Sequence, residues 1–287
     1  MKSIVITGAS SGIGLETARV LVKEGYQVIG IGRDEQRCKK ALEALLAESP
    51  SQKPLFFVGD LMQQREVLRL AYEVNGFLAD KPDQELHALI NNAGCVRSWY
   101  TTTEDGYEQQ FSLNHLAGFL LTYKLFPFLQ KAKGRVIMTG SQSHHGIKIH
   151  WDDLMFRRVY NLLLAYKQSK LCNLLFAKAL NDRFASKGVR AYVVDPGLVK
   201  TDIGNKQTGI LVNLVWSMRK HMGVPANIPA KTYAYLCNEA NAADSLNYFL
   251  CKKRSISKQV TPENAKRLFD LSERLCGISY KNLELAL

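Results

Sequence analysis

Short runs of apolar and β-branched residues alternate with longer amphipathic stretches through the first two-thirds of the chain. Each run has the length and composition of a buried strand, and glycine, proline or polar residues bound it. The runs lie at residues 3–7, 27–32, 55–60, 88–91, 135–141 and 190–196. Between them apolar residues recur every three or four positions, for example from Leu15 to Glu24 and from Glu108 to Leu129. Repeated strand-helix-strand units predict a parallel sheet covered by helices on both faces.

The pattern changes after residue 200. Residues 201–229 mix glycine and proline with apolar residues, and they make a connection that is long for a compact domain. Long connections of this kind often act as lids or binding loops. We therefore expect a lid over the substrate at 201–229, within a single domain that spans residues 1–287.

The C-terminal part returns to regular elements. A helical pattern at 230–240 is followed by a short strand candidate at 246–250 and an amphipathic stretch at 261–277. Thr261 is placed as the N-cap of that last helix, since its hydroxyl can accept from an unpaired backbone N–H. Gly277 is placed at its end, where a left-handed residue commonly stops a helix.

Composition narrows the class of protein. The chain has 287 residues, of which 46% are apolar and 22% charged, and its formal net charge is +12. The basic residues are scattered and no zinc-finger or aromatic RNA-binding signature accompanies them, so we expect no nucleic-acid partner. Six cysteines are dispersed without a CxxC spacing, which is typical of reduced thiols in a cytoplasmic protein.

The distribution of apolar runs predicts no membrane span. The first strand begins within three residues of Met1, which leaves no room before it for a signal peptide or an anchor. The longest apolar runs, such as residues 209–216, are far shorter than the roughly 20 residues that a spanning helix needs. Peripheral membrane association through residues 209–222 stays open.

A glycine-rich turn follows the first strand. Residues 7–14 read TGASSGIG, so that Gly8, Gly12 and Gly14 stand between a strand and a helix. Missing side chains there let the backbone approach a pyrophosphate, and the helix N-terminus stabilises its charge. The strand-turn-helix context favours a dinucleotide site over an ordinary turn.

The ends of the next strands indicate which dinucleotide is bound. Gly32 ends the second strand and Arg33 follows it, at a place where a carboxylate would favour NAD(H) and a cation would favour the 2′-phosphate of NADP(H). NADP(H) is therefore the preferred cofactor, with NAD(H) as the alternative. Asp60 ends the third strand, where it could meet the adenine amino group. Asn91 and Asn92 end the fourth strand, and both are expected at the cleft.

The segment AYKQSKL at 165–171 places Tyr166 four residues before Lys170. On a helix the two side chains share one face about 6 Å apart. Such pairs are common on exposed helices. In an active site, however, an ammonium beside a phenol favours the phenolate and so tunes an acid.

Together these segments resemble the short-chain dehydrogenase/reductase family. The resemblance rests on TGASSGIG at 7–14, Asp60, NNAG at 91–94, Asn114, Ser141, YKQSK at 166–170 and DPGLVKT at 195–201. It implies an α/β fold, a Rossmann-type doubly wound parallel sheet of about seven strands. The catalytic residues it implies are Ser141, Tyr166, Lys170 and Asn114. The cofactor-binding residues it implies are Gly8, Ser10, Ser11, Gly12, Ile13, Gly14, Arg33, Asp60, Leu61, Asn92, Ala93, Gly94, Tyr166, Lys170, Pro196, Gly197, Val199 and Thr201.

The resemblance also assigns roles. Tyr166 is the acid/base, Lys170 tunes it and holds the nicotinamide ribose, and Ser141 donates to the developing alkoxide. Asn114 holds an ordered water that links Lys170 to solvent. Pro196, Gly197 and Thr201 orient the nicotinamide ring. A homodimer or homotetramer is suggested, formed through the long helices at 108–129 and 165–186.

Residues 140–154, 165–180 and 262–278 look like the retinol dehydrogenase branch of the family. This predicts an NADP(H)-preferring carbonyl reductase or alcohol dehydrogenase acting on a retinoid, a steroid or another lipophilic carbonyl. Residues 166–175 also resemble protochlorophyllide reductases, so reduction of a carbon–carbon double bond is the alternative. A non-catalytic nucleotide-sensing protein is a second alternative, though it would be expected to lose the tyrosine, lysine or serine.

The remaining candidates line the substrate side. His144 follows Ser141 closely, and Trp216 belongs to the apolar part of the expected lid, so both are candidate substrate contacts together with Ser141 and Tyr166. His144 and His145 lack a third ligand at a suitable spacing. We therefore predict no metal site.

Overall fold

The computed structural model of the protein describes residues 1–81, 84–200, 223–238 and 245–285. The strands are β1 Lys2–Thr7, β2 Gln27–Gly32, β3 Leu55–Val58, β4 Glu85–Asn91, β5 Arg135–Thr139, β6 Arg190–Val194, β7 Asn247–Phe249 and β8 Lys252–Lys253. The helices are α1 Gly12–Lys23, α2 Glu35–Glu48, α3 Gln64–Ala79, α4 Gln109–Phe111, α5 Ala117–Lys131, α6 Leu162–Phe184, α7 Asn227–Asn238, α8 Pro262–Cys276 and α9 Lys281–Leu285. A π-helical turn, Ser112–Leu116, joins α4 to α5.

The strands form one sheet in the order β3-β2-β1-β4-β5-β6-β7-β8. Strands β1 to β7 pair in parallel, and β8 pairs antiparallel with β7. The doubly wound parallel sheet is thereby confirmed, with the two-residue β8 added to the seven strands that were expected. Strand order reverses between β1 and β4, and ligands bind at such a switch point because the connecting loops diverge there.

Alternate residues of each central strand face opposite layers of helices. In β1, Val5 packs with the cluster that includes α3, α5 and α6, whereas Ile4 and Ile6 pack with the cluster that includes α1 and α7. In β4, Leu89 lies in the first cluster and Ile90 in the second. The helices on both faces that the pattern predicted are confirmed, since continuous apolar strands are buried on both sides.

Several predicted strands end earlier than their apolar runs. Residues 59–60, 140–141 and 195–196 lie beyond β3, β5 and β6. The last paired residues are Val58 with Gly32, and Thr139 with Val194. Beyond these pairs the chain leaves the sheet, so that the polar residues at the run ends lie in loops at the carboxyl edge.

The predicted helix at 108–129 is interrupted where the π-helical turn inserts an extra residue into the helical repeat. The last helix agrees with its predicted caps: Thr261 Oγ1 accepts from Asn264 N at 3.2 Å, and Gly277 has φ of 62°. Of the expected lid at 201–229, residues 201–222 lie outside the described residues. None of the helices in the described part of the chain is both long and apolar enough to cross a bilayer.

Candidate active site

The glycine turn between β1 and α1 requires its glycines. Gly8 and Gly12 have φ of 68° and 55°, in the left-handed region that favours glycine. A Cβ on Gly14 would lie 2.3 Å from the carbonyl oxygen of Gly8, so the start of α1 can approach β1 only without a side chain. The turn therefore presents backbone at a helix N-terminus, where a pyrophosphate would be stabilised.

A cavity of about 260 Å³ lies over this turn and the ends of β2, β3 and β4. Eight of the predicted cofactor residues line it: Gly8, Ser10, Ser11, Arg33, Asp60, Leu61, Ala93 and Gly94. Their polar and backbone groups come from four different loops. Because these loops meet only at the strand-order reversal, the fold brings together residues that are up to 86 positions apart.

The wall at the end of β2 is cationic. Arg33 is about half exposed, and its Nη1 lies 4.0 Å from Asp60 Oδ2. Arg37, which the sequence analysis did not select, lines the same cavity from the first turn of α2. Asp34 is the N-cap of that helix, since its Oδ1 accepts from Arg37 N at 2.9 Å. A Cβ on Gly32 would lie 2.4 Å from Cys38 Sγ and 2.9 Å from Ser10 Oγ, so this wall of the cavity has no room for a side chain at that position.

The two asparagines that end β4 have separate environments. Asn92 Nδ2 donates to Thr7 O at 3.0 Å, and Thr7 Oγ1 accepts from the backbone of Asn92 and Ala93 at 2.9 Å each. These bonds hold the ends of β1 and β4 together beside the cavity. Asn91 instead donates to Thr122 Oγ1 at 3.2 Å on α5. It therefore packs against the helix layer. Contrary to the prediction, Asn91 does not reach the cleft.

A second cavity, of about 520 Å³, lies at the carboxyl ends of β5 and β6. The predicted residues that line it are Ile13, Asn92, Ser141, Tyr166, Lys170, Pro196, Gly197 and Val199. Gly94 lines the first cavity and lies close to Lys170, which lines the second. A Cβ on Gly94 would lie 3.0 Å from Asn114 Oδ1 and 3.7 Å from Lys170 Nζ, so the missing side chain lets the loop after β4 approach both residues.

The carboxyl end of β6 is shaped by a turn. Gly197 has φ of 69°, and its N–H donates to Asp195 Oδ1 at 2.9 Å. A Cβ there would lie 2.8 Å from the Phe249 ring. The turn therefore places the backbone of residues 196–199 along the second cavity. Thr201, expected next in this wall, lies outside the described residues.

Tyr166 and Lys170 lie on one face of α6, as their spacing predicts. Tyr166 and Ser141 line the same cavity, where the Ser141 side chain lowers the phenol pKa, and Lys170 Nζ lies 5.5 Å from the centre of the Tyr166 ring. Lys170 is buried and donates to Thr139 O at 3.1 Å. Asn161 begins the helix, since its Oδ1 accepts from the backbone of Leu163 and Leu164 at 3.0 Å each.

Burial dominates the acidity of this pair. It raises the pKa of Tyr166 to about 12, while the Ser141 side chain acts in the opposite direction. It lowers the pKa of Lys170 to about 8. The expectation that the ammonium depresses the phenol pKa is therefore not met in the protein itself, because loss of hydration disfavours both charged forms. The phenol is kept protonated, as a proton donor requires.

Asn114 lies in the π-helical turn and is fully engaged with protein groups. Its Oδ1 accepts from Cys95 N at 2.7 Å, and its Nδ2 donates to Cys95 O at 3.0 Å and to Ser169 Oγ at 2.9 Å. It therefore links the loop after β4 to the catalytic helix. The ordered water that the resemblance implies beside Lys170 remains a prediction.

His144 is buried behind Ser141. Its Nδ1 is hydrogen-bonded to Ser141 O at 2.5 Å, and its ring lies 4.1 Å from that of His145. It is absent from the linings of both cavities, so it supports the Ser141 loop without facing the substrate space. Trp216, the other predicted substrate contact, lies outside the described residues. Within the described ranges no group of three or more His, Cys, Asp or Glu could hold a metal ion.

Some lining residues were missed by the sequence analysis. In the first cavity these include Met62, Cys95, Arg97 and Leu113, and in the second Leu163 and Lys167. Arg97, Cys95 and Met62 stand within five residues after a selected motif, which was the available signal. Leu113 and Leu163 belong to ordinary apolar patterns, and only their position in the fold distinguishes them.

The sequence is similar to known proteins along nearly its whole length. The family model described as short chain dehydrogenase matches residues 2–209. Retinol dehydrogenase 12 of Bos taurus is 35% identical over 285 residues, which cover 98% of this chain and 88% of that protein. Retinol dehydrogenase 11 of Homo sapiens is 33% identical over 280 residues, covering 96% of this chain and 86% of that one.

Solved structures show the same fold. A protein from Mycobacterium paratuberculosis superposes with a TM-score of 0.73 and 28% identity, covering 97% of this chain and 94% of that one. An alcohol dehydrogenase from Thermococcus sibiricus, complexed with 5-hydroxy-NADP, gives a TM-score of 0.65 at 19% identity. That match covers 91% of this chain and 99% of the other, and at this identity it supports the fold alone.

Proposed function

Because this chain belongs to the short-chain dehydrogenase family, in its retinol dehydrogenase-like branch, we propose that it interconverts a lipophilic alcohol and its ketone or aldehyde, with NADP(H) preferred. The observation that carries the proposal is the grouping of Tyr166, Ser141 and the buried Lys170 along one cavity beside the glycine-turn cleft. Family membership makes the protein an NAD(P)-dependent oxidoreductase, and the geometry supports the finer assignment.

The cofactor fits the residues present. The glycine turn presents backbone at the N-terminus of α1 because Gly14 has no side chain to collide with Gly8, and Arg33 and Arg37 flank the space where a 2′-phosphate would be held. The glycine turn would hold the pyrophosphate, and Lys170 the nicotinamide ribose. A nicotinamide cofactor bound there supplies the hydride for carbonyl reduction or accepts it in alcohol oxidation.

The side chains of this chain would move and hold the proton. Tyr166 donates its phenolic proton to the carbonyl oxygen, and the Ser141 hydroxyl donates a hydrogen bond to the same oxygen as negative charge develops. The Lys170 ammonium then stabilises the phenolate that remains. Asn114 acts through its bonds to Cys95 and Ser169, which keep the loop after β4 against α6.

A lipophilic substrate is supported by the walls of the second cavity. Ile13, Leu163, Pro196, Leu198 and Val199 contribute apolar surface around the polar Ser141 and Tyr166. Burial of hydrocarbon against such walls is favourable, and the few polar groups of the cavity would orient the carbonyl. The names of the relatives point to retinol as one alcohol of this class.

A homodimer or homotetramer, a cytoplasmic location, and a single domain over residues 1–287 stay predictions. The six cysteines are free thiols, four of them buried, which suits the cytoplasmic prediction. Neither an ordered water at Asn114 nor a lid at 201–229 enters the proposed steps.

A substrate screen tests the proposal. Purified protein with NADPH is mixed with retinal, steroid ketones, aromatic aldehydes or quinones while the near-ultraviolet absorbance of the reduced cofactor is followed. We expect turnover of lipophilic aldehydes or ketones to the alcohols. Product analysis with an enone separates the reactions, since a saturated ketone as product would favour the carbon–carbon double-bond alternative. NADPH binding without any turnover would favour a nucleotide-sensing protein.

The pH dependence of kcat/KM for carbonyl reduction should have one falling limb. The Lys170 pKa is lowered to about 8, so the ammonium is present below that pH and lost above it. The Tyr166 pKa, raised to about 12, keeps the proton donor intact across the same range. We expect a plateau from pH 6 to 7 and a decline approaching about tenfold per pH unit well above 8.

The neighbouring lysine provides a matched control. Lys167 lies on the same helix and lines the same cavity, so Lys167→Gln should retain the falling limb. Lys170→Met should reduce kcat/KM at every pH. A profile that stays level to pH 10 in the wild type would contradict the requirement for a Lys170 ammonium.

A further inference from the structure

A group of polar side chains, three buried and one half-buried, lies outside the proposed catalytic set. It consists of Glu108, Gln110, Arg97 and Tyr160, and we call it the Glu108 cluster. Glu108 is 1% exposed, Gln110 0% and Arg97 7%. Burying a carboxylate and a guanidinium is costly unless their hydrogen bonds are satisfied. These side chains therefore have a role other than packing in the core.

The hydroxyl of Tyr160 is at the centre of the cluster. It lies 3.0 Å from Glu108 Oε1 and 3.0 Å from the backbone oxygen of Arg97, and either oxygen can accept its proton. Gln110 Nε2 donates to it at 2.7 Å. Burial and the nearby Glu108 carboxylate both raise the pKa of Tyr160, which keeps the hydroxyl protonated as a donor.

These contacts join three segments that lead into the active site. Glu108 Oε2 accepts from Phe111 N at 2.7 Å, at the start of the helix that continues into the Asn114 turn. Gln110 Nε2 also donates to the backbone oxygen of Leu162 at 3.2 Å, where α6 begins. Arg97 follows Gly94 by three residues in the loop after β4, and its Nε donates to Gln109 Oε1 at 2.7 Å.

Tyr160 stands six residues before Tyr166, and the two are joined by the first turn of α6. Asn161 caps that turn and Leu162 is held by Gln110. A rigid helix transmits a displacement of its first turn to the residues that follow. A shift of 1 Å at a reacting group can lower a catalytic rate about a hundredfold.

We propose that Tyr160 and Glu108 are positioning residues, which set the start of α6 against the loop after β4 and thereby place Tyr166 and Lys170 toward the substrate. The catalytic readout of this inference rests on the proposed function. The positioning itself does not, because the contacts hold the start of α6 whatever reaction follows.

The test uses Tyr160→Phe in the full-length protein. This change removes the hydroxyl and keeps the ring, whose centre lies 5.8 Å from that of Tyr100. We expect kcat to fall about tenfold to a hundredfold, while the Kd for NADPH changes less than twofold because the glycine turn is untouched. Glu108→Gln, which retains a side-chain acceptor, should keep more of kcat than Glu108→Ala.

Tyr26→Phe is the matched control. Tyr26 is also buried, and its hydroxyl donates to Asn238 Oδ1 at 2.5 Å on the opposite layer of the sheet. It should change thermal stability and leave kcat within twofold of the wild type. An equal kcat loss in Tyr26→Phe would mean that any lost tyrosine hydroxyl has this effect, which would overturn the inference. Wild-type kcat in Tyr160→Phe would overturn it as well.

Hydrogen exchange separates this inference from the proposed function. Peptides covering residues 162–168 should exchange at least several-fold faster in Tyr160→Phe than in the wild type or Tyr26→Phe, because the first turn of α6 loses its anchor. If the wild type turns over no carbonyl compound but this change is seen, the positioning stands and the proposed reaction fails. If exchange at 162–168 is unchanged, the positioning fails whatever the wild-type activity.

Discussion

Tyr166→Phe should lower kcat for carbonyl reduction by about 10²- to 10⁴-fold, the range that a positioned proton donor contributes. The substitution removes the hydroxyl in the cavity that Ser141 also lines and leaves the ring in its place beside Lys170. No other phenol lines the second cavity among the described residues, so water would have to supply the proton. Steady-state kinetics with a lipophilic aldehyde found in the screen would measure the loss.

The Kd for NADPH should stay close to the wild-type value, since the glycine turn and Arg33 are unaltered. Fluorescence titration of the reduced cofactor measures it. Tyr123→Phe serves as the control, because Tyr123 lies on α5 among the aromatic rings near Tyr280, away from both cavities. Retained turnover in Tyr166→Phe would refute the acid/base assignment. A parallel loss of NADPH binding would instead indicate a disturbed cleft.

Arg33→Ala should weaken NADPH about ten- to a hundredfold while changing NADH much less. A hydrogen bond to a charged group contributes about 1.5–3 kcal/mol, and tenfold in Kd corresponds to about 1.4 kcal/mol. Arg33 is about half exposed, which places the expected loss toward the lower end because solvent screens the interaction. Arg37→Ala should also weaken NADPH binding more than NADH binding, by a smaller factor, since Arg37 lines the same cavity four residues further on.

Titrations with NADPH and NADH at two salt concentrations test the phosphate contact. The loss for NADPH should shrink at high salt, because screening already weakens the contact in the wild type. Arg65→Ala is the control, since Arg65 is an exposed arginine of α3 that pairs with Glu104. Equal losses for the two cofactors would show that Arg33 does not read the 2′-phosphate.

Local sequence patterns predicted the architecture well, because strand burial and helix capping depend on residues that are near one another in the chain. The buried strands are apolar on both faces, so their positions followed from short runs, and the final helix carries its own stop signals in Thr261 and Gly277. The errors are of another kind. The strands were extended to Asp60, Ser141 and Pro196, because an apolar run does not show where a partner strand ends.

In the candidate site too, some features follow from local sequence and others only from packing. The glycine turn and the Tyr166–Lys170 pair could be predicted, since backbone freedom and helical spacing act within a few residues. That the Asp34 carboxylate caps α2 followed only from the structure. Asn114, His144 and Glu108 could not be assigned their contacts either. Their partners, at Cys95 and Ser169, at the Ser141 backbone and at Tyr160, are set by packing.

The sequence alone therefore determined the order of strands and helices along the chain, the glycine turn between β1 and α1, and the candidate catalytic residues. Tertiary structure decided which of these residues meet, which way the β4 asparagines face, that burial raises the pKa of Tyr166, and that Arg37 joins Arg33. The reason is physical. Propensity and periodicity depend on neighbours along the chain, whereas hydration, hydrogen-bond partners and distances across a cleft depend on segments that only folding brings together.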